Sequence, residues 1–193
     1  MIDMEPVGLF FGSFNPIHNG HLAIARYLLK EGYCRKVWFV VSPQNPWKED
    51  RTLLDEEKRL EIVKASIEQE PGMEVCDVEF SMPRPSYTYQ TLQVLSQKFP
   101  ARRFALIMGA DNLLYFHLWR NYEEIQANYL ILVYPRPNVD VKGVNIHNIN
   151  MIDAPLSTIS STEIRGKIQA GNDISSLVSA HALSLILNNY KDL

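Results

Sequence analysis

Two histidines, His18 and His21, stand three residues apart in the stretch GLFFGSFNPIHNGHL, residues 8–22, between a short apolar run and the start of a helical pattern. Residues three apart share a face once helical geometry begins, so the two imidazoles are expected side by side at a helix amino terminus. Gly12 and Gly20 flank them and let main chain come close to a ligand. The first turn of the helix adds unpaired N–H groups and a partial positive charge. Together these groups suit a polyphosphate, since imidazoles donate hydrogen bonds to phosphoryl oxygens and a protonated ring adds charge where a transition state turns negative.

A second such stretch is ISSTEIRGK, residues 159–167. Ser160 with Glu163 three residues later is a capping box and accounts for a helix start. It does not account for Arg165, a cation in the first turn that opposes the helix dipole, with Lys167 close behind, unless an anion shares the place. The stretch therefore reads as a second phosphate clamp. Lys48 could reach a phosphate from its loop or simply be solvated. Asp111 follows an apolar run, a position that suits a ribose hydroxyl or a helix cap. Trp119 suits either stacking on an aromatic ring or the core, and Tyr87 and Thr88 either a pocket wall or a strand-to-helix joint. The sequence shows no nucleophile, base and orienter set and no metal-binding motif. Many phosphate ligands without a nucleophile point to direct transfer between two bound substrates, with Mg²⁺ arriving on a nucleotide.

The elements that must position these residues alternate. Strands are expected at 7–11, 36–42, 73–80, 103–109 and 129–135, and helices at 20–31, 55–70 and 89–99, with a mixed segment through LWRNYEEIQ and a mainly helical part after Ile159. Such alternation predicts an α/β fold, a Rossmann-like open parallel sheet with helices on both faces and ligands beyond the carboxyl ends of the strands. The loops SPQNPWKED and SMPRPSY read as walls of a site.

The chain has 193 residues, 46% hydrophobic and 21% charged, which suits one domain over 1–193 with a helical part from about 160. A net charge of −3 provides no general basic field, so a nucleic-acid partner is not expected. Cys34 and Cys76 lack metal-finger spacing and read as free thiols of a reducing compartment. No signal peptide or membrane-length apolar run is visible, so no membrane partner and a cytoplasmic location are expected. Apolar residues of the last helices suit either a contact between two copies, as in a homo-oligomer, or packing within one chain.

GSFNPIHNGH and ISSTEIR resemble the paired signatures GxFxPxHxGH and ISSTxIR of the nucleotidyltransferase superfamily. NPWK, Arg59 in EKRLEIVKASI, RPSYTYQTL, MGADNL and YPRP resemble one branch, the bacterial nicotinate-nucleotide adenylyltransferases, so that the similarity runs from about Val7 to Tyr190. The resemblance implies transfer of AMP from ATP to nicotinate mononucleotide in NAD biosynthesis, giving deamido-NAD and pyrophosphate, with Mg²⁺ carried on ATP and no protein-bound metal. It implies that His18, His21, Lys48 and Arg165 act on the reacting phosphates. ATP contacts would fall on Gly12, Ser13, Phe14, Gly20, Gly109, Asp111, Ser160, Ser161 and Thr162, and the nicotinate pocket on Tyr87, Thr88 and Trp119. In the family the nicotinate carboxylate is met by main-chain N–H groups, so no arginine is nominated for it. Asn15 stands where many relatives have Asp and keeps the turn-forming amide, and Trp47 stands where many have His. Adenylation of nicotinamide mononucleotide or of phosphopantetheine, and a non-catalytic nucleotide sensor, are the alternative readings.

Overall fold

An unbroken apolar run such as VGLFF is stable as a strand only where both of its faces are covered, and the sheet is built around that run. The structure, a computed structural model, describes residues 6–43, 53–144 and 146–191. β1 (Val7–Gly12) leads through α1 (Asn19–Lys30) to β2 (Lys36–Val41), then α2 (Glu56–Ile67) and β3 (Met73–Cys76). α3 (Thr88–Lys98) returns the chain to β4 (Phe104–Gly109), and the short α4 (Ala110–Leu113) and α5 (Tyr122–Asn128) lead to β5 (Leu130–Tyr134). β6 (Ile149–Met151), α6 (Ser161–Gln169) and α7 (Leu183–Tyr190) complete it.

The strand order is β3-β2-β1-β4-β5-β6 with every pair parallel, so the chain winds outward one way from β1 and then restarts on its other side. The two crossovers diverge between β1 and β4, which opens a crevice beyond Gly12 and Gly109. Alternate side chains of β1 feed opposite faces: Phe10 joins Leu22, Ile62, Ile164 and Ile186 under α1, α2, α6 and α7. Leu9 joins Leu92, Phe116 and Ile125 on the side of α3 and α5. Each such side chain removed from water contributes about 1.5–3 kcal/mol before entropy is set against it. Of the apolar residues in the last helices, Ile164, Ile168, Ile186 and Tyr190 are buried in the chain's own core while Leu187 stays exposed.

Two expectations are corrected. The third strand stops at Cys76 and residues Val78–Ser81 turn into a 3₁₀ segment. Its Glu79 is 2% exposed and accepts hydrogen bonds from Ser86 Oγ and Thr91 Oγ1, each at 2.8 Å, which an extended edge strand would not allow. β6 was not expected: its three residues, largely open to solvent and including Asn150, have no apolar pattern and are strand only because β5 pairs with them.

Candidate active site

His18 is the N-cap of α1 and His21 its third residue, and the two rings stack with centroids 3.7 Å apart. The His18 main-chain N–H donates to His21 Nδ1 at 3.3 Å, which leaves the His21 proton on Nε2. His18 is 5% exposed, and its Nδ1 has no hydrogen-bond partner among the described residues. Burial, reinforced by the Arg136 guanidinium, lowers the His18 pKa to about 4. Burial, then His18 and Arg136, holds His21 well below its ordinary value. Both rings are therefore neutral near pH 7 in the free protein. They act there as hydrogen-bonding groups, and a cation has to come from elsewhere.

The turn before α1 is shaped for close approach. Phe14 holds φ +45°, a left-handed conformation unfavourable for a side-chain-bearing residue. It is kept there by its ring, 3% exposed and edge-on to Phe10, Phe39 and His21. Gly12 lies under that ring, where a Cβ would meet it at 3.0 Å. Gly20 is required by the chain itself as much as by any ligand: a Cβ would lie 2.4 Å from Ser157 Oγ and 3.0 Å from His18 Nδ1.

The late motif folds onto the first. Ser160 caps α6 by accepting from the Glu163 N–H at 3.1 Å. Arg165 reaches back across 150 residues to donate to the Asn15 carbonyl at 2.8 Å, with Thr162 Oγ1 at 3.5 Å, and Ser161 Oγ donates to the Pro16 carbonyl at 2.8 Å. Lys167 does not join them. Its Nζ pairs with Glu163 Oε1 at 3.6 Å, one turn back along the same helix.

Across the crevice, Gly109 caps α4 and Asp111 lies in its first turn, 3.3 Å from Arg136 Nε. A Cβ on Gly109 would come within 2.3 Å of Asp111 Oδ1 and 3.1 Å of Arg136 Nε, so glycine leaves room for that pair. Arg136, just past β5, also packs over Tyr134, whose hydroxyl burial pushes up to about 12. Arg136 was missed as a site residue. Its signals were a place after the last long strand and membership of YPRP, and the sheet order brings it toward the histidines.

Farther out, Trp119 packs edge-on to Phe116 at 5.5 Å and stays partly exposed, while Arg120 lies over the Tyr87 ring at 5.1 Å. Tyr87 is the N-cap of α3 and Thr88 its first residue, so these side chains and Trp119 form one neighbourhood. Lys48 and Trp47 lie outside the described residues. Among the described residues, no three His, Cys, Asp or Glu side chains could together hold a metal ion, and no helix is long and apolar enough to cross a membrane.

An open groove of about 750 Å³ lies at the opposite, amino end of the sheet between α3 and α5. Its polar groups already satisfy one another, with Tyr89 donating to Glu124 at 2.6 Å and Gln93 to Tyr89 at 2.7 Å. At the crevice, by contrast, the buried His18 Nδ1 has no hydrogen-bond partner among the described residues.

A family model described as cytidylyltransferase-like matches residues 9–167. A relative from Cytophaga hutchinsonii that bears the name nicotinate-nucleotide adenylyltransferase is 45% identical over 183 residues, covering 94% of this chain and 95% of its own. Another of that name, from Flavobacterium psychrophilum, is 46% identical over 175 residues, covering 89% and 91%. Among solved structures, Plasmodium falciparum nicotinic acid mononucleotide adenylyltransferase complexed with NaAD shares the fold with a TM-score of 0.78 at 19% identity, covering 95% of each chain. The same enzyme complexed with APC also gives 0.78, covering 96% of this chain and 97% of its own. At 45–46% identity along nearly the whole of both chains the kinship extends beyond a shared fold, and this chain belongs to the nicotinate-nucleotide adenylyltransferase family.

Proposed function

We propose that the crevice between β1 and β4 is where this protein carries out its family's reaction, the transfer of AMP from MgATP to nicotinate mononucleotide. The observation that carries this reading is the stacked His18–His21 pair at the start of α1, with Arg136 and the Arg165 motif brought to the same end of the sheet. A phosphate oxygen of the mononucleotide attacks the α-phosphorus of ATP in line. The new P–O bond forms as the bond to the β-phosphate oxygen breaks, and pyrophosphate leaves with that electron pair. No group on the protein has to be modified.

The protein contributes orientation and charge. The His21 Nε2–H is available to a phosphoryl oxygen because Nδ1 is already occupied as an acceptor. A bound triphosphate attracts a proton to His18, opposing the burial that keeps that ring neutral, while His21 stays neutral with Nδ1 as an acceptor. Arg136 supplies a permanent charge, Asp111 beside it suits a ribose hydroxyl, and Lys48 adds charge at the reacting phosphates. Mg²⁺ enters on ATP and offsets charge on the leaving pyrophosphate. Tyr87, Thr88 and Trp119 form the wall against the pyridine ring. A cytosolic place fits substrates of this kind.

The test is direct. Purified protein is given MgATP with nicotinate or nicotinamide mononucleotide at equal concentration, and pyrophosphate and dinucleotide are followed together. Turnover is expected mainly with the acid and is lost when Mg²⁺ is omitted. Preference for the amide would overturn the acceptor assignment. ATP binding with no turnover on either would favour a sensor.

A further inference from the structure

Arg59, on α2, is a cation with 0% exposure. Among the described residues its hydrogen bonds run only to main-chain carbonyls: Nε to Leu54 at 2.7 Å, Nη1 to Ser13 at 2.6 Å and Ser42 at 2.8 Å, and Nη2 to Pro43 at 2.8 Å. Burial lowers its pKa, and only the planar fork of a guanidinium could reach these carbonyls at once. A buried charge is costly to keep, so its placement calls for a reason beyond filling the core, which an apolar side chain does at less cost.

The reason lies at Ser13. In a planar trans peptide the C=O and the following N–H point in opposite directions. With the Ser13 carbonyl turned inward onto Arg59, the Phe14 N–H faces away from the buried guanidinium, next to a residue held at left-handed φ. Successive main-chain N–H groups exposed around a left-handed residue form an anion-binding concavity. Asn15 continues the same frame. Its Oδ1 accepts from the Leu54 N–H at 3.1 Å and from Tyr190 Oη at 2.7 Å, while Arg59 holds the Leu54 carbonyl.

We infer that Arg59 is a positioning residue for phosphate binding: from beneath the turn it fixes the Ser13–Phe14 peptide so that the Phe14 N–H is presented to the triphosphate. The inference rests on the ATP site proposed above and assigns to α2 a part in it that no exposed residue of that helix plays.

The experiment compares wild type, Arg59→Lys and, as a control on the same helix, Ile62→Val. Binding of α,β-methylene-ATP is measured by calorimetry and steady-state rates are measured against each substrate. Ile62 touches only the core, so its variant lowers the melting temperature and leaves nucleotide affinity unchanged. Arg59→Lys keeps the charge and loses the fork. It is expected to weaken the ATP analogue about tenfold and to lower kcat, with KM for the mononucleotide unchanged. A folded Arg59→Lys protein that binds the analogue like wild type would overturn the inference. If that variant does not fold, exchange of the Phe14 amide proton is followed by NMR in wild type, and saturating α,β-methylene-ATP is expected to slow it about tenfold. An exchange rate unchanged by the bound analogue would then overturn it. Failure of wild type to adenylate nicotinate mononucleotide would strike the proposed reaction and leave the calorimetric comparison intact.

Discussion

The histidine pair makes the free protein's stability depend on pH in a direction that can be worked out. His18 has an ordinary pKa of 6.5 when unfolded and about 4 when folded, because burial and Arg136 disfavour its charged form. Above pH 6.5 neither state binds the proton. Between pH 6.5 and about 4 the unfolded chain takes it up and the folded protein does not, so stability drops as the pH is lowered through that window and levels off below it. A gap of about 2.5 pH units at about 1.4 kcal/mol each amounts to roughly 3.5 kcal/mol. His21 adds to the loss in the same direction. Carboxylates lose stability with falling pH as well, so the measurement is a difference. Urea unfolding of wild type and His18→Asn is followed at pH 7.5, 6, 5 and 4, asparagine being a good N-cap in its own right. Wild type is expected to lose about 3 kcal/mol more than the variant between the extremes. Parallel curves would refute the burial argument, and with it the claim that the free site holds neutral imidazoles.

Two further substitutions test the site. His21→Ala is expected to lower kcat about 100-fold with little change in the KM for ATP, as measured by pyrophosphate release; unchanged kcat with a raised KM would make His21 a ground-state binder. Gly109→Ala places a Cβ within 2.3 Å of Asp111 Oδ1, so the carboxylate must leave its place beside Arg136. Because Asp111 is partly exposed, the melting temperature should hardly move while KM for ATP rises about tenfold, a change of about 1.4 kcal/mol in binding.

Much of this arrangement is legible in the residues themselves. Apolar runs long enough to be buried on both faces placed β1, β2, β4 and β5 within a residue or two, since nothing else accommodates such runs in water. The histidine spacing foretold a shared face, and the stacked rings realise it. What could not be read was set by distance along the chain. Arg136 matters because β5 lies beside β4, a fact of sheet order. Arg59 stood out in the sequence only through the resemblance of EKRLEIVKASI; charge normally marks the solvent side of a helix, and only the carbonyls converging from the turn after β1, the end of β2 and the residue before the α2 cap make its burial tolerable. The protonation of the histidines also escaped, because desolvation depends on what folds over them.

The bonds from Arg165 to Asn15, from Ser161 to Pro16 and from Tyr190 to Asn15 span 150, 145 and 175 residues. During synthesis the sheet from β1 to β5 can therefore assemble well before the turn it carries is braced. If this turn holds the nucleotide as proposed, affinity is completed only when α6 and α7, in about the last sixth of the polypeptide, have emerged and docked. A shortened chain ending near residue 160 would carry the histidines and bind ATP poorly, so ATP capture reports that translation has run far enough for α6 and α7 to close the fold.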